Sequence, residues 1–171
     1  DGFDLMISLA GIESVARQLT EAASAYSGRW VGEEAHEMLR IEAGIPRYGV
    51  DITEDNLILE TGLTHAVSFN KGCYLGQEVV ERIRSRGHVN KALTGLLVHG
   101  EKPPVAGCKI LSAEKEIGTI TSSTYSPALE SPIALGYVHR DHRAQGTQVL
   151  VRYGEELLVN ATVRELPFAA T

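Results

Sequence analysis

The sequence predicts an α+β chain, with helices in the first half and a small six-stranded β-barrel or sandwich in the second. Two observations carry this: apolar residues recur at helical spacing before Gly87, and six short β-rich runs follow it. The 171 residues suffice for one medium or two small domains.

Residues 2–9 (GFDLMISL) alternate, with Phe3, Leu5, Ile7 and Leu9 on one side and Asp4, Met6 and Ser8 on the other, which predicts a strand. Ile12, Val15, Ala16, Leu19, Ala22 and Ala23 then recur at helical spacing and predict an amphipathic helix ending near Ser27-Gly28. A second helix is expected from about Gly32 to Ala43, burying Ala35, Met38 and Leu39 and stopped by Gly44 and Pro46. Residues 46–70 are irregular and rich in turn formers, a length more often found in functional loops than in passive ones. Helical character returns over 75–84 with Val79, Val80 and Ile83. The runs ALTGLLVHG, KILSA, IGTITSS, IALGYV, QVLVRY and LLVNATVREL supply the six strands, with a boundary near residues 85–92.

Composition excludes several functional classes. The hydrophobic share of 43% and charged share of 22% are ordinary for a folded globular protein. A net charge of -6 argues against general nucleic-acid binding, which needs a basic surface. No apolar run approaches the ~20 residues that span a bilayer, and no signal peptide opens the sequence. The start at Asp1-Gly2-Phe3, inside the expected strand, suggests a fragment. Two widely spaced cysteines, Cys73 and Cys108, do not make a disulfide scaffold, so a cytoplasmic location with free thiols is expected. Cys108, in an apolar run, reads as a barrel-core residue.

The most specific segment is Lys71-Gly72-Cys73-Tyr74-Leu75-Gly76-Gln77-Glu78. A cysteine just before a helix, beside a lysine, has its thiolate favoured by both positive ends. The flanking glycines permit a tight bend that leaves the sulfur accessible, and Gln77 and Glu78 suit the first helical turn. The residues alone leave this reading level with a small residue in a glycine turn. Lys71, Arg82, Arg84, Arg86 and Lys91 form a cationic stretch in an acidic chain, either a solvated face or a patch for an anionic ligand tail, RNA or a protein. His65 and His88 flank the cysteine segment, but no ligand spacing supports a metal site.

The string KGCYLGQE, followed by VVERIRSRGHVNKAL, resembles the signature loop of the YgfZ-type folate-binding proteins, relatives of the glycine-cleavage T-protein (aminomethyltransferase) superfamily. DGFDLMI resembles the superfamily's DG[FY]E strand, LRIEAGIPRYGVDI its helix exit, and IGTITSSTYSPALESPIALGYV its barrel segment. ELPF resembles its closing strand.

The resemblance implies the C-terminal part of an aminomethyltransferase-like folate-binding domain over 1–86 and a six-stranded β-barrel over 87–171. It implies tetrahydrofolate, or a one-carbon derivative, in a cavity completed by an N-terminal domain outside this chain. Asp4 would pair with the pterin through two parallel N–H···O bonds, although it stands where the superfamily has glutamate. His36 stands where the superfamily has a folate-contacting arginine, and Arg40 and Lys71 complete the expected cofactor-binding set. Arg40 and Glu42 resemble residues that tie the second helix to nearby loops, while Tyr48, Gly49 and Asp51 resemble the superfamily's YG.D turn, in which Asp51 reads as a turn cap. Cys73 is the candidate reactive thiol. The implied role is support of iron–sulfur client enzymes or assembly proteins and of tRNA thiomethylation. Its rivals are a glycine-cleavage aminomethyltransferase and a non-enzymatic tRNA- or protein-binding module.

Overall fold

The computed structural model describes residues 3–154 and 157–168, except for the side chain of Arg86. The chain divides into two compact units, Asp1–His36 and Glu37–Thr171.

In the first unit, residues 3–8 form no strand. Alternation alone does not make one: a strand needs a partner for its N–H and C=O groups, and none pairs with this segment among the described residues. Gly2, the first residue of the expected strand, lies outside them. A 3-10 turn at Leu9–Gly11 leads into α1, Ile12–Ser24. Trp30 folds back to donate from its indole N–H to Thr20 Oγ1 at 2.9 Å, and Gly28 N–H closes the helix end on Ala23 O at 2.8 Å. Helix α1 has no buried residue, so its apolar stripe (Ile12, Leu19) is exposed.

Helix α2, Glu33–Glu42, begins in the first unit and ends in the second. The expected buried face is corrected: Ala35 and Leu39 are exposed and Met38 half-buried, while Arg40 and Ile41 are buried. The reason is packing. Ile41 lies against Leu93, Ile133, Leu135 and Tyr137, and its neighbour on the helix is carried in with it. Short 3-10 turns at Ile58–Glu60 and Thr64–Ala66 punctuate the connection to α3, Gln77–Arg86. Gly87 ends α3 in the left-handed region, its N–H reaching Ile83 O and Arg84 O.

Six strands follow: β1 Lys91–Val98, β2 Lys109–Ser112, β3 Lys115–Ser126, β4 Ser131–His139, β5 Gln148–Tyr153 and β6 Leu157–Arg164. All pairings are antiparallel, and the order β1-β4-β3-β2-β5-β6 closes into a barrel. The α+β expectation and the six-stranded barrel are therefore shown, and the barrel rather than a sandwich. Its interior draws on every strand, including Leu96, Ile110, Ile120, Val138, Val151 and Val163, with Cys108 among them as expected. Strand β4 is buried on both faces. Ala134 and Val138 point inward, while Ile133, Leu135 and Tyr137 point outward to meet Ile41, Leu166 and Phe168. At Gly118 the strands approach so closely that a Cβ would lie 2.1 Å from Tyr137 O.

Candidate functional site

The second unit holds a buried polar clasp that ties α2, the following turn and the barrel together. Arg40 Nη1 donates to Asp51 Oδ2 at 2.6 Å and to Ile45 O at 3.2 Å. Its Nη2 donates to Ser122 Oγ at 2.7 Å, and its Nε to Glu37 Oε2 at 2.9 Å. Arg47 binds the other oxygen of Glu37 at 2.6 Å. Asp51, 1% exposed, accepts two donors on each oxygen: Arg40 Nη1 and Arg47 N–H on Oδ2, Thr121 and Ser122 hydroxyls on Oδ1. A carboxylate and a guanidinium so fully hydrogen-bonded can be buried without an unpaired charge.

The sequence predisposes this arrangement in a way that alternation hides. Neighbouring strand residues normally face opposite ways, yet Thr121 and Ser122 both reach Asp51 Oδ1. The register against β4 shifts between Ile120 and Ser122, so Thr121 is an extra residue. That bulge re-aims the two hydroxyls onto one oxygen. A second tie joins Ser126 Oγ to Glu42, with Leu129 N–H donating to Ser126.

Electrostatics follow the contacts. The hydrogen bond from Arg40, helped by the charges of Arg40 and Arg47 and opposed by burial, holds the Glu37 carboxyl below its usual range. Tyr137, 7% exposed, is the one buried side-chain polar group without a hydrogen-bond partner among the described residues. Burial first, then the charges of Glu60 and Asp51, pushes its phenol up to about 12. Lys91 lies over its ring, 5.1 Å from the centroid, and 3.9 Å from Glu60.

The cysteine segment has its own local geometry. Lys71 Nζ sits 4.6 Å from the Tyr74 ring centroid. Tyr74 N–H donates to Gln77 Oε1 at 3.2 Å while Gln77 N–H returns to Tyr74 O at 3.3 Å, so Gln77 braces the loop ahead of α3 rather than capping a helical N–H. Gly76 takes φ 89 before the helix, a conformation glycine adopts at no steric cost. Cys73 is exposed, four residues ahead of the first helical residue rather than against it. Phe69 stacks under Arg84, whose charge also meets Glu81 at 3.2 Å. The side chain of Arg86 lies outside the described set.

The expected site residues thus divide. Asp4 and His36 lie exposed in the first unit, and neither side chain has a hydrogen-bond partner among the described residues. Lys71 and Cys73 share one exposed loop of the second unit. Arg40 is committed to the clasp, and Asp51 proves to be both its partner and a turn cap, through Arg47 N–H. Glu37, Arg47, Thr121 and Ser122 were not foreseen. The signal available was the TSS triplet, a polar break in an apolar strand.

A helix clasped by arginine and aspartate onto a closed six-stranded antiparallel barrel defines a recognisable architecture, and comparison with known proteins gives its family. Residues 1–71 match the GCVT N-terminal domain, and residues 91–169 match the glycine cleavage T-protein C-terminal barrel domain. By these two matches, taken together, the chain belongs to the glycine cleavage T-protein superfamily. Residues 72–90, with Cys73 and α3, fall between the two matched stretches.

Similar proteins include the aminomethyltransferase of Streptomyces avermitilis, 34% identical over 150 residues, 86% of this chain and 40% of that protein. Those of Symbiobacterium thermophilum and Rubrobacter xylanophilus are 33% and 35% identical, each over 98% of this chain and 44% and 43% of theirs. The crystal structure of glycine cleavage system aminomethyltransferase T from Bartonella henselae matches with TM-score 0.80 and 30% identity, over 91% of this chain and 44% of that one. The chain therefore spans less than half the length of these relatives. They favour the aminomethyltransferase branch of the resemblance over the YgfZ-type branch. No helix among the described residues is long and apolar enough to cross a membrane.

Proposed function

We propose that the chain is the C-terminal portion of a tetrahydrofolate-binding, one-carbon-transferring protein of the aminomethyltransferase type. The observation that carries this is the pair of T-protein domain matches in their native order, over 1–71 and 91–169. Reduced folate supplies the nitrogens that take up a one-carbon unit. On the protein side, the exposed Asp4 carboxylate, free of other hydrogen bonds among the described residues, fits an acceptor for two pterin N–H groups. His36, in the same unit, offers a second polar contact. Arg40 is a positioning residue in this reading: its donors hold α2 to the barrel. An N-terminal domain, consistent with relatives more than twice as long, would complete the cavity. Two free cysteines suit a cytoplasmic setting.

A second reading is favoured by one feature. KGCYLGQE presents an exposed Cys73 in the interval outside both T-protein matches, which fits a YgfZ-type protein supporting iron–sulfur enzymes and tRNA thiomethylation. Calorimetric titration of the full-length protein with tetrahydrofolate, paired with transfer from a lipoyl-bound aminomethyl donor, tests both. Saturable folate binding with turnover supports the transferase. Folate binding without turnover, together with loss of client iron–sulfur enzyme activity on deletion, supports the second reading. Salt-sensitive tRNA binding with no response to folate would overturn both in favour of a binding module.

A further inference from the structure

A cavity of about 820 Å³ in the second unit lies between the exit of α2, the β4–β5 connection and the closing segment after β6. Its walls are contributed by Ala43–Pro46, by Thr61, Gly62, Leu63 and His65, by the start of β1, and by Leu166 and Pro167. Three arginines line it: Arg140, which opens the short turn Arg140–His142 after β4, Arg143, which follows that turn, and Arg164 at the end of β6. Glu165 is the single carboxylate in the lining. The side chains of Arg143 and Arg164 have no hydrogen bond or ion pair among the described residues, and that of Arg140 meets only Asp141, at 3.5 Å.

This concentration is not dictated by composition, since the chain carries a net charge of -6. The three arginines come from two distant stretches of sequence yet line one cavity. Their planar donors match carboxylate and phosphate oxygens in pairs. The volume falls in the range of small-ligand sites, which combine an apolar floor with a few convergent polar groups. Leu93, Leu166 and Pro167 furnish that floor. Arg143 also lines a neighbouring cavity of about 290 Å³ beside Arg84 and His88, extending the positive surface toward α3.

We propose that this cavity is a binding site for a small polyanion, a ligand bearing two or more phosphate or carboxylate groups, held by Arg140, Arg143 and Arg164. The site stands independently of the folate assignment, because none of Asp4, His36, Lys71 or Cys73 lines it.

The test is calorimetric titration of the full chain with two probes, inorganic pyrophosphate and a triglutamate peptide. Saturable one-to-one binding of at least one is expected. Binding of pyrophosphate alone assigns a phosphate ligand, and of triglutamate alone a polycarboxylate. Arg143→Gln and Arg164→Gln should each weaken it about tenfold with an unchanged melting temperature, while Lys115→Gln, outside the cavity, should leave it unaltered. Absence of saturation by either probe would overturn the proposal. So would equal affinity in the arginine variants, or binding confined to a single-stranded RNA control.

Discussion

Arg40 on α2 and Ser122 on β3 stand 82 positions apart in sequence, yet the guanidinium donates to the hydroxyl at 2.7 Å inside the protein. That contact, with Asp51 bridging the same two groups, fastens a helix to a barrel through polar chemistry rather than through apolar burial alone.

Removing one member of such a pair leaves the other charged, buried and unmatched. Arg40→Ala should therefore destabilise the folded chain by about 3–5 kcal/mol, measured as a shift in urea midpoint. Ser122→Ala, which deletes one neutral donor, should cost about 1–2 kcal/mol. Similar small effects from both would mean that water already enters the clasp.

Glu37 gives the clasp a dependence on acid. Its folded carboxyl titrates below the reference value of 4.5 because Arg40 binds the ionised form. A depressed folded pKa contributes stability above the unfolded pKa and loses it as pH falls through the folded one. Melting temperature should drop more steeply below about pH 4.5 in the native chain than in Glu37→Gln. Superimposable acid limbs would show that the Arg40–Glu37 contact carries no linkage.

Tyr137 behaves in the opposite sense. Its folded phenol is raised from 10.0 to about 12, so the fold favours the neutral form. The associated stability is complete below pH 10 and disappears as pH rises toward 12, amounting to about 2–3 kcal/mol. Tyr137→Phe removes a buried hydroxyl with no partner and should be neutral or slightly stabilising at pH 7. It should also abolish the alkaline loss between pH 10 and 12. A variant destabilised at neutral pH would instead reveal an ordered water serving that hydroxyl.

The two thiols should differ in access. Cys73 is exposed while Cys108 is 7% exposed within the barrel interior. Iodoacetamide near neutral pH should modify Cys73 in the folded protein at least tenfold faster, read by mass spectrometry of the two peptides. Matching rates would mean that the barrel opens on the timescale of labelling.

Much of this fold was legible because local patterns and tertiary packing agree. The six β-rich runs each end at turn residues, and each becomes a barrel strand. The end of α3 was legible for the same reason, since Gly87 takes the left-handed conformation that stops it. What escaped was non-local. Asp51 meets Thr121 and Ser122 across separations of 70 and 71 residues, through a bulge that no periodicity records. The buried side of α2 was misjudged because Arg40 counts as polar in any pattern, although its position is set by Ile41 beside it. Residues 3–8 show the converse failure: a faithful alternation without a neighbouring strand to use it.

Closure of the ring between β1 and β6 carries a consequence for recognition. Every strand already has two neighbours, so among the described residues no barrel strand is open along the whole of one edge for a visiting peptide or a second copy to add itself. Whatever engages it must read side chains presented by bends and helices. The same seamlessness protects the domain from the edge-to-edge stacking through which open sheets precipitate.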